Sequence, residues 1–201
     1  GKIMRYIKLI LQMLILFSVS SCSYRTDIPN QKIISNLEVF SVKENWESAE
    51  KISKNWDQES YLDKIRIDVS LPNGNRGISD DITFEFQTPR NDYTSIDVKC
   101  NNFQCVKKVF SNQQEYPLKQ SKPLIWKDNH LDSKDILLIS LDYFDSRVLF
   151  RDNSTLTLIL NQFSNFGENP VWRVLYYDHT NNEEIDLFFD PVTGELLSKK
   201  I

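Results

Sequence analysis

Two of the three cysteines lie close enough in sequence to react with each other. Cys100 and Cys105 enclose the residues NNFQ, between two runs that alternate apolar and polar residues, YTSIDVKC and CVKKVF. In an antiparallel hairpin with so short a loop, the two side chains lie opposite each other at a separation that suits a disulfide. A catalytic redox pair usually has the C-x-x-C spacing at the start of a helix. The spacing therefore favours a structural disulfide, with free thiols, redox chemistry or a zinc site as the alternatives.

The other reactive side chains lack catalytic or metal-binding spacing. His130 and His179 lie in predicted loops, and the sequence contains no H-x-x-x-H, H-E-x-x-H or G-x-S-x-G motif. The acidic pairs at 80–81 and 183–184 lack the ligand spacing and the central glycine of a calcium-binding loop. We therefore predict no catalytic residue, no metal site and no bound cofactor.

Phe103, inside the NNFQ loop, is the one candidate recognition residue. A loop that is closed by a disulfide and exposes an aromatic ring is well suited to contact a partner protein. The alternative is that the ring packs against the adjacent sheet.

The third cysteine, Cys22, follows an N-terminal segment with a pattern of its own. Residues 1–21 contain three basic residues and no acidic one, and the apolar run LILQMLILF occupies positions 9–17. A membrane-spanning helix needs about 20 apolar residues, so this run is too short. Together with the small serines that follow, it fits a secretory signal peptide that is removed before Cys22.

Val19, Ser20, Ser21 and Cys22 resemble the lipobox of bacterial lipoproteins. In that family the cysteine thiol receives a diacylglycerol group, the signal is cleaved before the cysteine, and the new amine is acylated. The resemblance implies that Cys22 is the lipid attachment site and that residues 22–40 form a tether outside the cytoplasmic membrane of a bacterial envelope. That compartment is oxidising and would preserve the disulfide of Cys100 and Cys105. The alternative is an ordinary signal peptide followed by a chance cysteine.

The charge of the chain argues against nucleic acid as a partner. The net charge is −4, and three of the 24 basic residues lie in the predicted signal peptide. Binding to phosphates requires clustered lysine and arginine. The densest basic cluster in the remaining chain is VKK at 106–108, which is typical of a solvated strand face.

Apolar periodicity predicts an α+β fold in which the order of a helix followed by several antiparallel strands occurs twice. Ser41 and Glu44 form a capping-box pattern at the start of an amphipathic helix at 42–56. A second helix is predicted at 133–145, with Asp132 or Ser133 as its cap, although its ILLISL core also fits a strand. The predicted strands are 62–71, 82–87, the hairpin at 93–110, 154–163, 171–178, 184–190 and a short final strand. The predicted units are 41–120 and 121–201, each a helix packed on a curled sheet.

Residues 169–197 resemble the C-terminal hairpin of PepSY-like domains. The matching positions are a strand centred on Trp172, a polar turn, an alternating strand, and the sequence from Asp190 through Thr193, Gly194 and Glu195 to Leu196. The first helix and its exit resemble the first helix of the same family. Independently, alternation places one face of each hairpin strand toward a helix: Trp172, Val174 and Tyr176, and Ile185, Leu187 and Phe189.

The lipobox and the PepSY-like or cystatin-like resemblance together imply a non-catalytic, lipid-anchored lipoprotein that binds a protein or modulates a protease of the envelope. One alternative is a carrier of a small apolar ligand in the groove between helix and sheet. Another is an enzyme whose site has no local sequence signature.

Overall fold

The computed structural model describes residues 40–71, 78–90, 94–101, 104–111, 122–144 and 153–200. The predicted signal peptide, Cys22 and Phe103 lie outside these ranges. The helices are α1 (Val42–Trp56) and α2 (Ser133–Leu141), and a 3-10 turn spans Ser164–Phe166. None of the described helices is long and apolar enough to cross a membrane. The strands are β1 (Tyr61–Leu71), β2 (Ile78–Gln87), β3 (Thr94–Cys100), β4 (Cys105–Ser111), β5 (Ser154–Gln162), β6 (Pro170–Asp178), β7 (Glu183–Phe189) and β8 (Leu196–Lys200).

All eight described strands belong to one antiparallel sheet. Their order is β4-β3-β2-β1-β5-β6-β7-β8, so β1 and β5 pair at the centre. The half formed by α1 and β1–β4 and the half formed by α2 and β5–β8 thus share a continuous sheet. The fold is α+β, as the sequence predicts.

One face of the sheet is apolar because the strands alternate between buried and polar side chains. In the C-terminal hairpin, Trp172 pairs with Phe189, Val174 with Leu187 and Tyr176 with Ile185. Five of these six side chains are buried, Ile185 is half-buried, and all contact the same core as the two helices. This confirms that both predicted triples face a helix.

Helix α1 has the predicted boundaries because its cap and its apolar positions agree. The hydroxyl of Ser41 accepts the N–H of Glu44 at 3.1 Å, and Ala49 is fully buried against the sheet. The ring of Trp46 lies 6.1 Å from that of Phe84. The carboxylate of Glu44 contacts Lys134 of α2 at 3.3 Å rather than completing the predicted capping box.

Helix α2 is shorter than predicted. Asp132 caps its start, and its N–H donates to the carboxylate of Asp135 at 3.0 Å. The helix ends at Leu141 and not at Asp145. The chain turns at 142–144, and this turn places the rings of Tyr143 and Phe144 against the sheet. Tyr143 lies 5.6 Å from Phe189, and Phe144 lies 5.9 Å from Tyr176. Aromatic packing therefore overrides continuation of the helix.

The N-termini of the two helices meet at Asp132. Its Oδ1 accepts the N–H of Val42 at 2.8 Å and the N–H of Lys43 at 3.2 Å. The hydroxyl of Ser133 donates to the carbonyl of Phe40 at 2.6 Å. The first amides of a helix have no partner within the helix, so this buried carboxylate satisfies donors of α1 while it begins α2.

The turn between β7 and β8 fits closely under α2. Asp190 accepts the N–H groups of Val192 and Thr193, each at 2.8 Å. Gly194 has a φ of 72°, and a methyl group at its Cα would lie 2.7 Å from Cδ1 of Ile139. Glycine is required here both by its backbone conformation and by the close approach of α2.

We expect Gly194→Ala to lower the free energy of unfolding by about 2–3 kcal/mol. The positive φ costs about 1–2 kcal/mol, and displacing the flexible end of Ile139 adds about 1 kcal/mol. The matched control repeats Gly194→Ala in an Ile139→Val background, because valine lacks the Cδ1 atom that would lie 2.7 Å from the added methyl. Chemical denaturation of the single variants and the double variant measures the difference. An equal loss from Gly194→Ala in both backgrounds would show that the contact with Ile139 contributes nothing.

Candidate functional site

Cys100 and Cys105 form a disulfide, as their spacing predicts. They are directly opposed in the β3–β4 ladder, and Cys100 is completely buried in the core. The N–H of Asn101 donates to the carbonyl of Gln104 at 3.0 Å across the turn. A buried disulfide in a regular hairpin serves to fix the hairpin. Cys22 and Phe103 lie outside the described residues, so their roles stay predictions.

The acidic stretch DHTNNEE at 178–184 forms a hydrogen-bonded turn. Asp178 accepts the N–H of Thr180 and the side-chain amide of Asn181, both at 2.8 Å. In the described part of the chain, no group of three or more His, Cys, Asp and Glu side chains is placed to hold a metal ion.

His130 is a titratable side chain that is buried without a hydrogen-bond partner for one of its ring nitrogens. Only 2% of the surface of His130 is accessible to solvent, and its Nδ1 has no hydrogen-bond partner. The imidazole stands edge-on to Trp126 at 5.3 Å. Burial, helped by the charge of Lys127, lowers the pKa of His130, whereas Asp190 opposes this effect. The sequence places His130 in a loop and gives no sign that the ring is buried.

The face of the sheet opposite the helices carries an ordered set of polar side chains. Both helices contribute to the core on the other face, and no described helix lies over this one. We call it the open face. Its polar residues include Lys64, Arg66, Asp68, Asp81, Thr83, Glu85, Asp97, Lys99, Lys108, Thr157, Arg173 and Asp186, and its apolar residues include Val106, Phe110, Ile159, Leu175 and Phe188.

Ion pairs order the charges of the open face on β1–β3. Lys64 lies 2.8 Å from Glu85, Arg66 lies 2.7 Å from Asp68, and Lys99 lies 3.3 Å from Asp81. Exposed pairs of this kind contribute little to stability. They nevertheless hold opposite charges at defined positions over several strands.

Asp97 lies among these charges on β3. Its partial burial raises the pKa of the carboxyl group, and the nearby carboxylate of Glu85 adds to this effect. Lys99 and Lys64 act in the opposite direction. The ionised form of Asp97 is therefore less stable than that of an exposed aspartate. A cationic group of a partner placed next to Asp97 would stabilise the ionised form.

An aromatic cluster occupies the open face at the β6–β8 end. Phe188 is 5% exposed although it lies on the polar side of the sheet. The rings of Phe163 and Phe166 lie 5.5 Å and 4.9 Å from it, and the 3-10 turn positions Phe166. The guanidinium of Arg173 and the ammonium of Lys200 lie 5.7 Å and 5.8 Å from the ring centre. We call these five residues the aromatic cluster.

Asp186 fixes the orientation of Arg173. Two hydrogen bonds of 2.7 Å and 2.9 Å join the guanidinium to the buried carboxylate, and this pairing raises the pKa of Arg173. A bidentate pair holds the planar guanidinium in one position. The cluster thus combines a fixed cation with aromatic rings.

Sequence reasoning missed this cluster. In EEIDLFF, alternation assigns Ile185, Leu187 and Phe189 to the core, which leaves Asp186 and Phe188 on the polar face. A phenylalanine at a position that alternation assigns to the polar face indicates an apolar contact on that face. The residues that cover Phe188 are Phe163 and Phe166, and their positions depend on the 3-10 turn, which the sequence pattern does not predict.

The buried state of His130 predicts a loss of stability in mild acid. Because the folded state lowers its pKa below the unfolded value of about 6.5, the unfolded chain binds the proton first as the pH falls. The stabilisation from the neutral form is complete above about pH 6.5 and is lost below it. We expect His130→Gln to reduce the decrease in unfolding free energy between about pH 7.5 and 5.5.

His179→Gln is the control, since His179 is exposed on the β6–β7 turn. Chemical denaturation across this pH range gives the slopes for the wild type and both variants. A slope unchanged by His130→Gln would contradict the role given to the buried ring.

Comparison with known proteins adds little to this picture. No protein-family model matches the chain, and no curated protein sequence matches it. Among solved structures, the chain is similar to a candidate lipoprotein of Clostridium difficile 630, with 12% sequence identity, coverage of 77% of this chain and 91% of that protein, and a TM-score of 0.49. A similarity at this level carries no argument about function. The PepSY-like assignment therefore rests on the sequence motif alone, and the tandem PepSY-like arrangement stays a prediction.

Proposed function

We propose that the protein is a lipid-anchored, extracytoplasmic lipoprotein of a bacterial envelope that binds another protein through its open face and catalyses no reaction. The observation that carries the binding proposal is the aromatic cluster beside an ion-paired, ordered polar surface. The proposal of an anchor depends on the signal-like segment and on Cys22.

The open face is suited to recognition because its side chains are already positioned. Binding is costly when flexible side chains must be immobilised, and existing ion pairs reduce that cost. Arginine and aromatic side chains dominate the binding energy of many interfaces. Arg173, held by Asp186 over the ring of Phe188, supplies this combination at one end of the face.

The charge pattern of the open face determines which partners it accepts. On β1–β3 this face carries both basic and acidic side chains, joined in ion pairs, so no single sign dominates. Such a surface selects a partner with a complementary pattern and repels mismatched ones. A protein surface meets this requirement better than a uniformly charged polymer.

The alternative of a small apolar ligand between helix and sheet has no observation in its favour. The described space under α1 is filled by Trp46 against Phe84 and Phe86, with ring distances of 6.1 Å and 6.3 Å. Tyr143 and Phe144 fill the corresponding region near α2. Modulation of a protease is implied by the PepSY resemblance alone.

We expect Cys22→Ser to abolish lipid attachment. In a bacterial host fed labelled palmitate, the wild-type chain should carry label and enter the detergent phase, whereas the variant should do neither, because serine cannot form the thioether. A Cys100→Ser and Cys105→Ser double variant is the control and should remain labelled. A Cys22→Ser chain that still carries label would overturn the proposed anchor.

A photo-crosslinking residue placed on the open face should capture a defined partner in the native envelope. Suitable positions are Arg66 and Lys99, whose side chains are 48% and 47% exposed. Glu47 and Lys51, exposed on α1, are the controls on the opposite side of the molecule. We expect one product of discrete mass from the open face and none from α1.

Adding Arg173→Ala should reduce this product by about tenfold or more, since loss of an arginine that anchors an interface commonly costs about 2 kcal/mol or more of binding energy. Equal products from both sides of the molecule, or an undiminished product with Arg173→Ala, would count against recognition by the open face.

A further inference from the structure

The two edge strands of the sheet are protected to different extents. The five-residue β8 is short, and its pairing with β7 is irregular between Phe188 and Phe189. The seven-residue β4 pairs with β3 without interruption, from Cys105 opposite Cys100 to Ser111 opposite Thr94. Short or bulged edges discourage pairing with another chain. β4 has neither form of protection.

Exposed apolar side chains are concentrated on β4. Val106, Val109 and Phe110 are 53%, 47% and 38% exposed. The other exposed large apolar residues in the described ranges lie singly on separate segments of the chain. Because β-strand side chains alternate, Val106 and Phe110 lie on one side of the sheet and Val109 on the other. An added strand could therefore bury apolar surface on both sides.

The ladder indicates which backbone groups of β4 point away from β3. The bond from the N–H of Asn101 to Gln104 sets the alternation of the hairpin. The hydrogen-bonded pairs are then those of Val106, Lys108 and Phe110 with β3, whereas the N–H and C=O groups of Lys107 and Val109 point outward. In the described part of the chain, β4 pairs with no strand other than β3.

The disulfide makes this edge a rigid template. Cys105 begins β4 and is bonded to Cys100, which is buried in the core. The register of β4 is therefore fixed at one end by a covalent bond. A template that is already ordered loses little conformational entropy when a partner strand pairs with it.

The charges of β4 decide the kind of strand that fits. Lys107 and Lys108 are its charged residues, and they lie on opposite sides of the sheet. Antiparallel pairing of two copies would bring the lysines of both chains together, and like charges across strands are destabilising. We propose that the β4 edge binds an extended segment of a partner polypeptide in which two consecutive acidic residues, glutamate or aspartate, are flanked on both sides by apolar residues.

In this complex the partner segment is a ninth strand. Its backbone pairs with Lys107 and Val109, its carboxylates meet the two lysines, and its apolar residues cover Val106, Val109 and Phe110. Main-chain hydrogen bonds supply affinity and the side chains supply selectivity. Val106 and Phe110 lie on the open face, opposite Lys99 and Ser95, but the hydrogen bonds of this site come from the backbone of β4. Val109→Pro therefore tests this site while Arg173 and the aromatic cluster stay unchanged.

The test uses the full chain purified in detergent, with two synthetic peptides as probes. One has two consecutive glutamates flanked by valines, and the other has two consecutive lysines flanked by valines. The glutamate peptide should slow hydrogen exchange at the amides of Lys107 and Val109. It should bind at least about tenfold more tightly than the lysine peptide, since two surface ion pairs are formed instead of two repulsions.

Val109→Pro should abolish binding, because it removes an outward N–H without removing a hydrogen bond to β3. Val109→Thr keeps the N–H and the side-chain shape and should bind like the wild type. A double charge reversal, Lys107→Glu with Lys108→Glu, should invert the preference between the peptides, and it remains informative if the proline variant fails to fold.

Equal affinity for both peptides, or binding that survives Val109→Pro in a folded variant, would refute pairing of an acidic strand at this edge. A dimer in sedimentation experiments that Val109→Pro dissolves would instead identify a second copy of the chain as the occupant, and would also overturn the proposal.

Discussion

The central pairing of β1 with β5 is the constraint on which the rest of the molecule depends. It runs from Ile65 opposite Leu160 to Leu71 opposite Ser154, and it joins the first strand of each half. Because opposed residues share a face, this register continues the apolar face of one half into that of the other. A shift by one residue would turn one apolar face to solvent. The register thus places both helices on one side, leaves the open face on the other, and puts β4 and β8 at the edges.

Both helices contribute to the core on one face of the sheet, and their N-termini meet. The amides at the start of α1 therefore need an acceptor from outside that helix. Asp132 provides it, since its carboxylate accepts two amides of α1 from the residue that precedes α2. An apolar residue at 132 would leave the buried N–H of Val42 with only its longer contact of 3.3 Å to the hydroxyl of Ser133, and weakening this hydrogen bond costs about 1 kcal/mol. A helix of one half therefore depends on a residue of the other. The halves are coupled by this polar contact as well as by the sheet, although each repeats the order of a helix and four strands.

Local patterns were sufficient to predict the elements, and long-range contacts account for what they missed. The bounds of α1 were predicted to the residue because the Ser41 cap and the spacing of apolar residues agree. The end of α2 was not, since its position depends on contacts of Tyr143 and Phe144 with distant strands. The pairing of Cys100 with Cys105 could be predicted because the two residues are only 5 positions apart. The pairing of β1 with β5 joins segments that are distant in sequence, and no local pattern of residues indicates it. The burial of Phe188 and of His130 likewise depends on neighbours that adjacent residues do not specify.

The open face and the β4 edge impose different physical requirements on a partner. On the open face, Arg173 is neutralised by Asp186 and the lysines of β1 and β3 by acidic neighbours, so affinity must come from shape and from aromatic contact. At the edge, affinity comes from backbone groups, and the two lysines of β4 act chiefly by exclusion and selection. The same lysines that prevent pairing between copies of the chain favour an acidic strand. An unbulged edge with exposed valines would otherwise favour pairing between copies of the chain. The two lysines therefore oppose self-association whether or not a partner is bound.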